Sequence, residues 1–222
     1  MVAEKFAAEG SNVAINYYSS EAQAKELAAK IEADHKVKAI PIQGDVALRA
    51  DCENLVKKTI ELLGGIDVII SNAGWTKISR FGDLNALTDD EWDKVCIRMR
   101  EEIEIHRLLI YVKNQCWNTN VKANLHLFRE AEPTFNANPE GGAFIITSSV
   151  AGATPGGSSM AYSVSKAASM YIWTVSIHYA VFTNKYAGIH LMKGLASSQS
   201  SKIRTNAVLP GLLLTEWVSS NT

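Results

Sequence analysis

GGAFIITSSVAGATPGGSSMAYSVSK, residues 141–166, is the stretch that decides the fold class of this chain. Its first part is an apolar run bounded by glycine, the pattern of a buried strand. Ser149 stands just beyond that run, and Tyr162 follows thirteen residues later. Lys166 lies four residues after Tyr162, so on a helix both side chains share one face. Unperturbed tyrosine has a pKa of about 10 and is a poor base near neutrality. An adjacent ammonium favours the phenolate and brings that group toward the working range. A serine hydroxyl from the strand end could then orient a carbonyl or an alcohol. The three residues suit proton transfer in ketone–alcohol chemistry. Tyr162 and Lys166 by themselves also fit a surface tyrosine with a lysine stem packed along its ring.

Working outward, apolar runs alternate with amphipathic ones. Strands are expected at 12–17, 37–42, 66–71, 143–147 and 204–209. Helices are expected at 21–33, at 47–63 and from Asp89 onward. This alternation predicts an α/β fold, a doubly wound parallel sheet covered on both faces. No repeat or linker divides the chain, so residues 1–222 are expected to form a single domain. A chain that is 47% hydrophobic with a net charge of −1 suits a globular domain. The balanced charge gives no electrostatic case for nucleic acid or an anionic membrane. Cys52, Cys96 and Cys116 lack paired metal spacing, and the five histidines are scattered, so no metal site is expected. The most apolar stretch, Met170 to Phe182, includes His178 and is too short to span a bilayer. No secretory signal opens the chain, and a cytoplasmic location is the default.

In order along the chain come Asp45-Val46 in QGDV, the Asn72-Ala73-Gly74 triplet after IDVIIS, then Ser149, Tyr162, Lys166, and Pro210-Gly211 followed by Thr215. In this order they resemble the short-chain dehydrogenase/reductase family, of the single-domain type with a Rossmann-like sheet. The resemblance implies that Tyr162 transfers a proton, Lys166 lowers its pKa and holds a ribose, and Ser149 positions the substrate oxygen. It also implies cofactor contacts at Asp45, Val46, Asn72, Ala73, Gly74, Tyr162, Lys166, Pro210, Gly211 and Thr215. Taken singly, Asp45 also reads as a helix cap and Asn72-Ala-Gly as a loop.

The family binds pyrophosphate on a Thr-Gly-rich turn between its first strand and first helix. This chain opens at MVAEKFAAEG, which resembles that helix. The first strand with its Gly-rich loop is therefore expected to be lacking, as are the substrate-loop helices and the C-terminal strand after Thr215. The family's first strand is central, so its loss exposes unpaired backbone in mid-sheet. The segment Asn16-Tyr17-Tyr18-Ser19-Ser20 has no carboxylate to bind a ribose 2′-hydroxyl or repel a 2′-phosphate. This favours NADP over NAD as the cofactor, with NAD possible.

Two segments, 95–115 and 169–188, interrupt the family spacing. Removing the first restores that spacing and makes Asn120 the counterpart of the family's fourth catalytic residue. Removing the second rejoins SVSKAAS to IHLMKGLASSQSSKI. Both can be back-translated with splice-like ends, Val95-Cys96 as GTATGT and Asn114-Gln115 ending in CAG, so both are expected to be translated introns. Structured family insertions are the alternative.

The resemblance thus implies an NADP(H)-dependent oxidoreductase that interconverts a small-molecule carbonyl and an alcohol by hydride transfer. Homo-oligomers are implied for the intact parent. The competing expectation is a non-catalytic fragment or binding module without competent cofactor binding, since the phosphate turn supplies helix-end and backbone contacts to the pyrophosphate.

Overall fold

A computed structural model describes residues 2–74, 76, 78–81, 83, 85–86, 118–168, 192, 195–198 and 201–211. Segments 95–115 and 169–188, and Thr215, lie outside the described residues. Five strands are described: β1 (Val13–Tyr17), β2 (Ala39–Gln43), β3 (Val68–Ser71), β4 (Gly142–Thr147) and β5 (Ile203–Val208). Five helices accompany them: α1 (Val2–Ala8), α2 (Glu21–His35), α3 (Arg49–Leu63), α4 (Ala123–Ala137) and α5 (Met160–Ala168).

All described strand pairs are parallel. β1 pairs with β2, Val13 opposite Ala39. β4 pairs with β3 and β5, Ile69 opposite Phe144 and Phe144 opposite Thr205. The described strands therefore form two sheets, β1-β2 and β3-β4-β5. Among the described residues no strand joins β1 to β3.

Period-two alternation accounts for the helices on both faces. Val13 and Ile15 of β1, with Ala39 of β2, pack toward Ala7 of α1 and Ala28 and Ile31 of α2. Ala14, Ile40 and Ile42 point the other way, into a larger core with Cys52, Leu55 and Val56 of α3. That core continues through Leu127, Phe128, Ala131 and Phe135 of α4 to Phe144, Ile146 and Ile203. The Phe128 and Phe144 rings meet edge to face at 5.4 Å, a favoured aromatic geometry. One core thus runs beneath both sheets, carried across by α3 packed on α4.

Turn chemistry sets the element ends. Helix α3 begins at Arg49, two residues later than the sequence pattern predicts. The reason is a carboxylate turn: Ala47 N–H donates to Asp45 Oδ1 at 2.9 Å, and Asp45 N–H donates to Asp51 Oδ2 at 2.8 Å. Asp45 thereby holds the turn before α3. The helix ends at Gly64, whose φ of 89° suits glycine and lets its N–H reach Ile60 O. Where α4 returns to β4, Gly142 lies so close to Phe135 that a Cβ there would sit 2.1 Å from its ring. Helices α1 and α2 are joined by Lys30 and Glu4, at 2.6 Å, a largely exposed pair of small energetic weight. Among the described residues no helix is long and apolar enough to cross a membrane.

Candidate active site

The candidate residues converge where strands end. Asp45 follows β2, Asn72 follows β3, Ser149 follows β4 and Pro210 follows β5. In open α/β sheets the carboxyl ends of the strands are where ligands bind.

Helix α5 carries Tyr162 and Lys166. Ser159 caps it, with a fully buried side chain that accepts the Tyr162 N–H at 3.0 Å. The ammonium of Lys166 lies 5.7 Å from the centre of the Tyr162 ring. It also donates to Thr147 O at 3.3 Å, at the end of β4. Lys166 is only 5% exposed, Tyr162 is half-buried, and both share the inner face of α5, as their spacing predicts.

Asn120 enters from a single π-helical turn, Asn118–Lys122, at the head of α4. Such turns are frequent at functional sites. Asn120 is 4% exposed, and its carbonyl accepts the Asn124 side-chain amide at 2.9 Å. Gly74 lies against both side chains: a Cβ there would be 3.3 Å from Asn120 Oδ1 and 3.7 Å from Lys166 Nζ. Asn72, Ala73 and Gly74 are exposed and continue from β3 as an open strip of backbone.

Ser149 precedes one 3-10 turn, Val150–Gly152, and its Oγ accepts the Ala151 N–H at 3.2 Å. Val150 N–H donates to Pro210 O at 3.1 Å, so the Pro210-Gly211 segment adjoins the serine turn. Asp45 is half-buried, whereas Val46 sends its side chain into the core beside Cys52. Any contact from Val46 to a ligand would therefore come from its backbone. Burial, with Asp51, Asp45 and Glu53 nearby, pushes the Cys52 thiol up to about 12. Among the described residues no three His, Cys, Asp or Glu side chains gather as a metal set.

Sequence reasoning missed a group of hydroxyls. Thr76 Oγ1 meets Ser158 Oγ at 2.5 Å, and Ser79 N–H donates to Ser158 O at 2.8 Å. These bonds strap the segment after β3 to the entrance of α5. Ser163 Oγ donates to Ala151 O at 2.7 Å. The serine pair before Met160 was the available signal for the cap, but no local pattern discloses bonds across 82 or 12 residues.

The short chain dehydrogenase family profile matches residues 1–179. Ketoacyl reductase 2 of the granaticin polyketide synthase of Streptomyces violaceoruber is 30% identical over 222 residues, 99% of this chain and 70% of that protein. The 3-oxoacyl-(acyl-carrier-protein) reductase FabG of Staphylococcus aureus is 27% identical over 220 residues, 99% of this chain and 71% of the enzyme. Among solved structures, the NADPH-dependent 3-quinuclidinone reductase of Rhodotorula rubra shares the fold with a TM-score of 0.68 at 22% identity. That match covers 96% of this chain and 64% of the reductase. The chain belongs to the short-chain dehydrogenase/reductase family, an oxidoreductase family that binds nicotinamide cofactors.

Proposed function

We propose that this protein is an NADP(H)-linked oxidoreductase interconverting a small-molecule carbonyl and an alcohol. The carrying observation is the meeting of Lys166 Nζ and Asn120 Oδ1 around Gly74, with the Tyr162 ring 5.7 Å from the same ammonium.

Tyr162 gives its phenolic proton to the substrate oxygen during reduction and takes it back during oxidation. Lys166 favours the phenolate by charge proximity, and its burial strengthens that effect. Its tie to Thr147 O fixes where the charge sits. Ser149 positions the substrate oxygen with its hydroxyl, and Asn120 supports the proton relay toward solvent.

The open strip Asn72, Ala73 and Gly74 fits a bound dinucleotide, because the missing Cβ at Gly74 admits close backbone approach. Asp45, with the Val46 backbone, would hold the adenine end, and Pro210, Gly211 and Thr215 the nicotinamide end. Tyr162 and Lys166 would complete the cofactor contacts. When bound, the nicotinamide exchanges a hydride with the substrate carbon; the protein supplies orientation and charge. The lack of a carboxylate within Asn16-Tyr17-Tyr18-Ser19-Ser20, at the end of β1, supports NADP over NAD. A small carbonyl or alcohol in the cytoplasm is the substrate class, and homo-oligomers are expected of the intact parent. Residues 95–115 and 169–188 remain proposed as translated introns within one domain.

A second reading, a non-catalytic binding module, is favoured by the division of the described strands into two sheets. NADPH fluorescence titration separates the two. Saturation at micromolar NADPH, with weaker NADH binding, and carbonyl-dependent oxidation abolished by Tyr162→Phe would support the oxidoreductase. No saturable binding would support the module.

A further inference from the structure

We propose that Ser163, the residue after Tyr162, is a positioning residue that aims the hydroxyl of Ser149. This rests on the reading of Ser149 as the group that orients the substrate oxygen. Ser163 is 8% exposed, and its hydroxyl donates to Ala151 O at 2.7 Å. The N–H of that same Ala151, itself 4% exposed, donates to Ser149 Oγ at 3.2 Å. Ala151 is therefore held at both ends, by Ser163 on one side and Ser149 on the other.

This chain of bonds has a chemical polarity. A hydroxyl has one hydrogen to donate and two lone pairs to accept with. Because Ser149 Oγ accepts from Ala151, one lone pair is occupied and the hydroxyl hydrogen points elsewhere. Ser149 is thus set as a donor toward a substrate oxygen, the polarity needed to hold a carbonyl. Ser163 secures the geometry by fixing the carbonyl of Ala151.

The same helix turn that aims Tyr162 aims the serine as well, so the two groups move together. Packing reinforces the coupling. A Cβ at Gly157 would lie 3.0 Å from Ala151 Cβ and 3.3 Å from Tyr162 Cδ1, leaving little space between them. Ser159 has a different part: it caps the helix and touches neither Ala151 nor Ser149 in the described bonds.

The test uses the full chain with Ser163→Ala, Ser163→Cys and a distant core control, Phe135→Leu. Amide exchange at Ala151 and Gly152 is read by NMR, and kcat and the KM for NADPH are read with a carbonyl substrate. Ser163→Cys keeps the size and weakens the donor, and it serves if Ser163→Ala does not fold. The expected result is faster exchange at Ala151 in both Ser163 variants and a kcat lower by about tenfold to a hundredfold, with KM for NADPH unchanged. Phe135→Leu lowers the melting temperature and leaves kcat in place. Unchanged exchange at Ala151 in the variants would overturn the proposal whatever the activity. Faster exchange with unaltered kcat would overturn the positioning role. Absence of turnover in the unmodified protein would instead overturn the functional reading, and the exchange data would still decide whether Ser163 holds the turn.

Discussion

Lys166 reaches from helix α5 to the end of β4, where its ammonium donates to the carbonyl of Thr147 at 3.3 Å. The bond fixes a buried cation between a strand end and a phenol, and Lys166→Met tests its importance. Methionine keeps the stem and removes the charge. We expect carbonyl reduction to fall by roughly a hundredfold or more, the scale of a lost proton-transfer group. Lys166→Arg should not restore it, since a planar guanidinium does not replace a compact ammonium. Initial rates at saturating NADPH measure both; a Lys166→Met variant with unaltered kcat would remove the lysine from the proposed chemistry.

The approach of Gly142 to Phe135 makes the return into β4 intolerant of any side chain. A Cβ at Gly142 would sit 2.1 Å from Phe135 Cδ1 and 2.8 Å from its Cβ, so a rotation of the ring cannot relieve the clash. Gly142→Ala should lower stability by about 3 kcal/mol, the upper end of ordinary overpacking. In a domain of this size that is a fall of roughly 10 °C in melting temperature. Calorimetry of the variant checks it.

Cys52 lies in the core with its thiol held up at about 12, against an ordinary value of 9. Burial is the main cause, with Asp51, Asp45 and Glu53 adding repulsion. Below pH 9 the thiol is neutral in both folded and unfolded chains. Between pH 9 and 12 the unfolded thiol loses its proton and the folded one keeps it. Stability should therefore fall with rising pH across this window, by up to about 1.4 kcal/mol per pH unit from this group. Urea denaturation from pH 8 to 10.5 should show a shallower decline in Cys52→Ala than in the unmodified protein.

His126 on α4 titrates in the opposite sense. Desolvation, then the nearby charges of Arg49, Arg129 and Lys122, holds its imidazole below the ordinary 6.5. Its buried Nδ1 has no hydrogen-bond partner among the described residues. The unfolded histidine therefore takes a proton before the folded one does. Stability should drop as pH falls below 6.5, and His126→Gln should flatten that acid limb. Parallel denaturation curves for the two proteins at pH 5 and pH 7 would contradict this.

The strands were legible from sequence because short apolar runs next to glycine, such as 66–71 and 143–147, suit strands buried on both faces. Their observed limits differ by only a residue or two. The start of α3 was less legible: Ala47 fits the helical pattern, but the Asp45–Ala47 and Asp51–Asp45 bonds win locally and delay the helix to Arg49. At the candidate site, the side-by-side arrangement of Tyr162 and Lys166 follows from their i, i+4 spacing alone. The π-turn that delivers Asn120 does not, since it depends on packing of α4 against the sheet. Likewise, Ser163 and Thr76 are unremarkable in sequence; their meaning arises from contacts with Ala151 and Ser158 across the fold.

The two sheets share a core without sharing a backbone ladder among the described residues. Between β1 and β3, cohesion comes from side chains of α3 and α4, which are non-directional and yield by degrees. Within each sheet it comes from hydrogen bonds, which are lost in rows. The described ladders thus form two hydrogen-bonded blocks, with Asp45 after a strand of one and Ser149, Tyr162 and Lys166 beside the other. A dinucleotide bridging those residues would act as a staple across the division, and its binding would be felt as slowed exchange in both blocks at once.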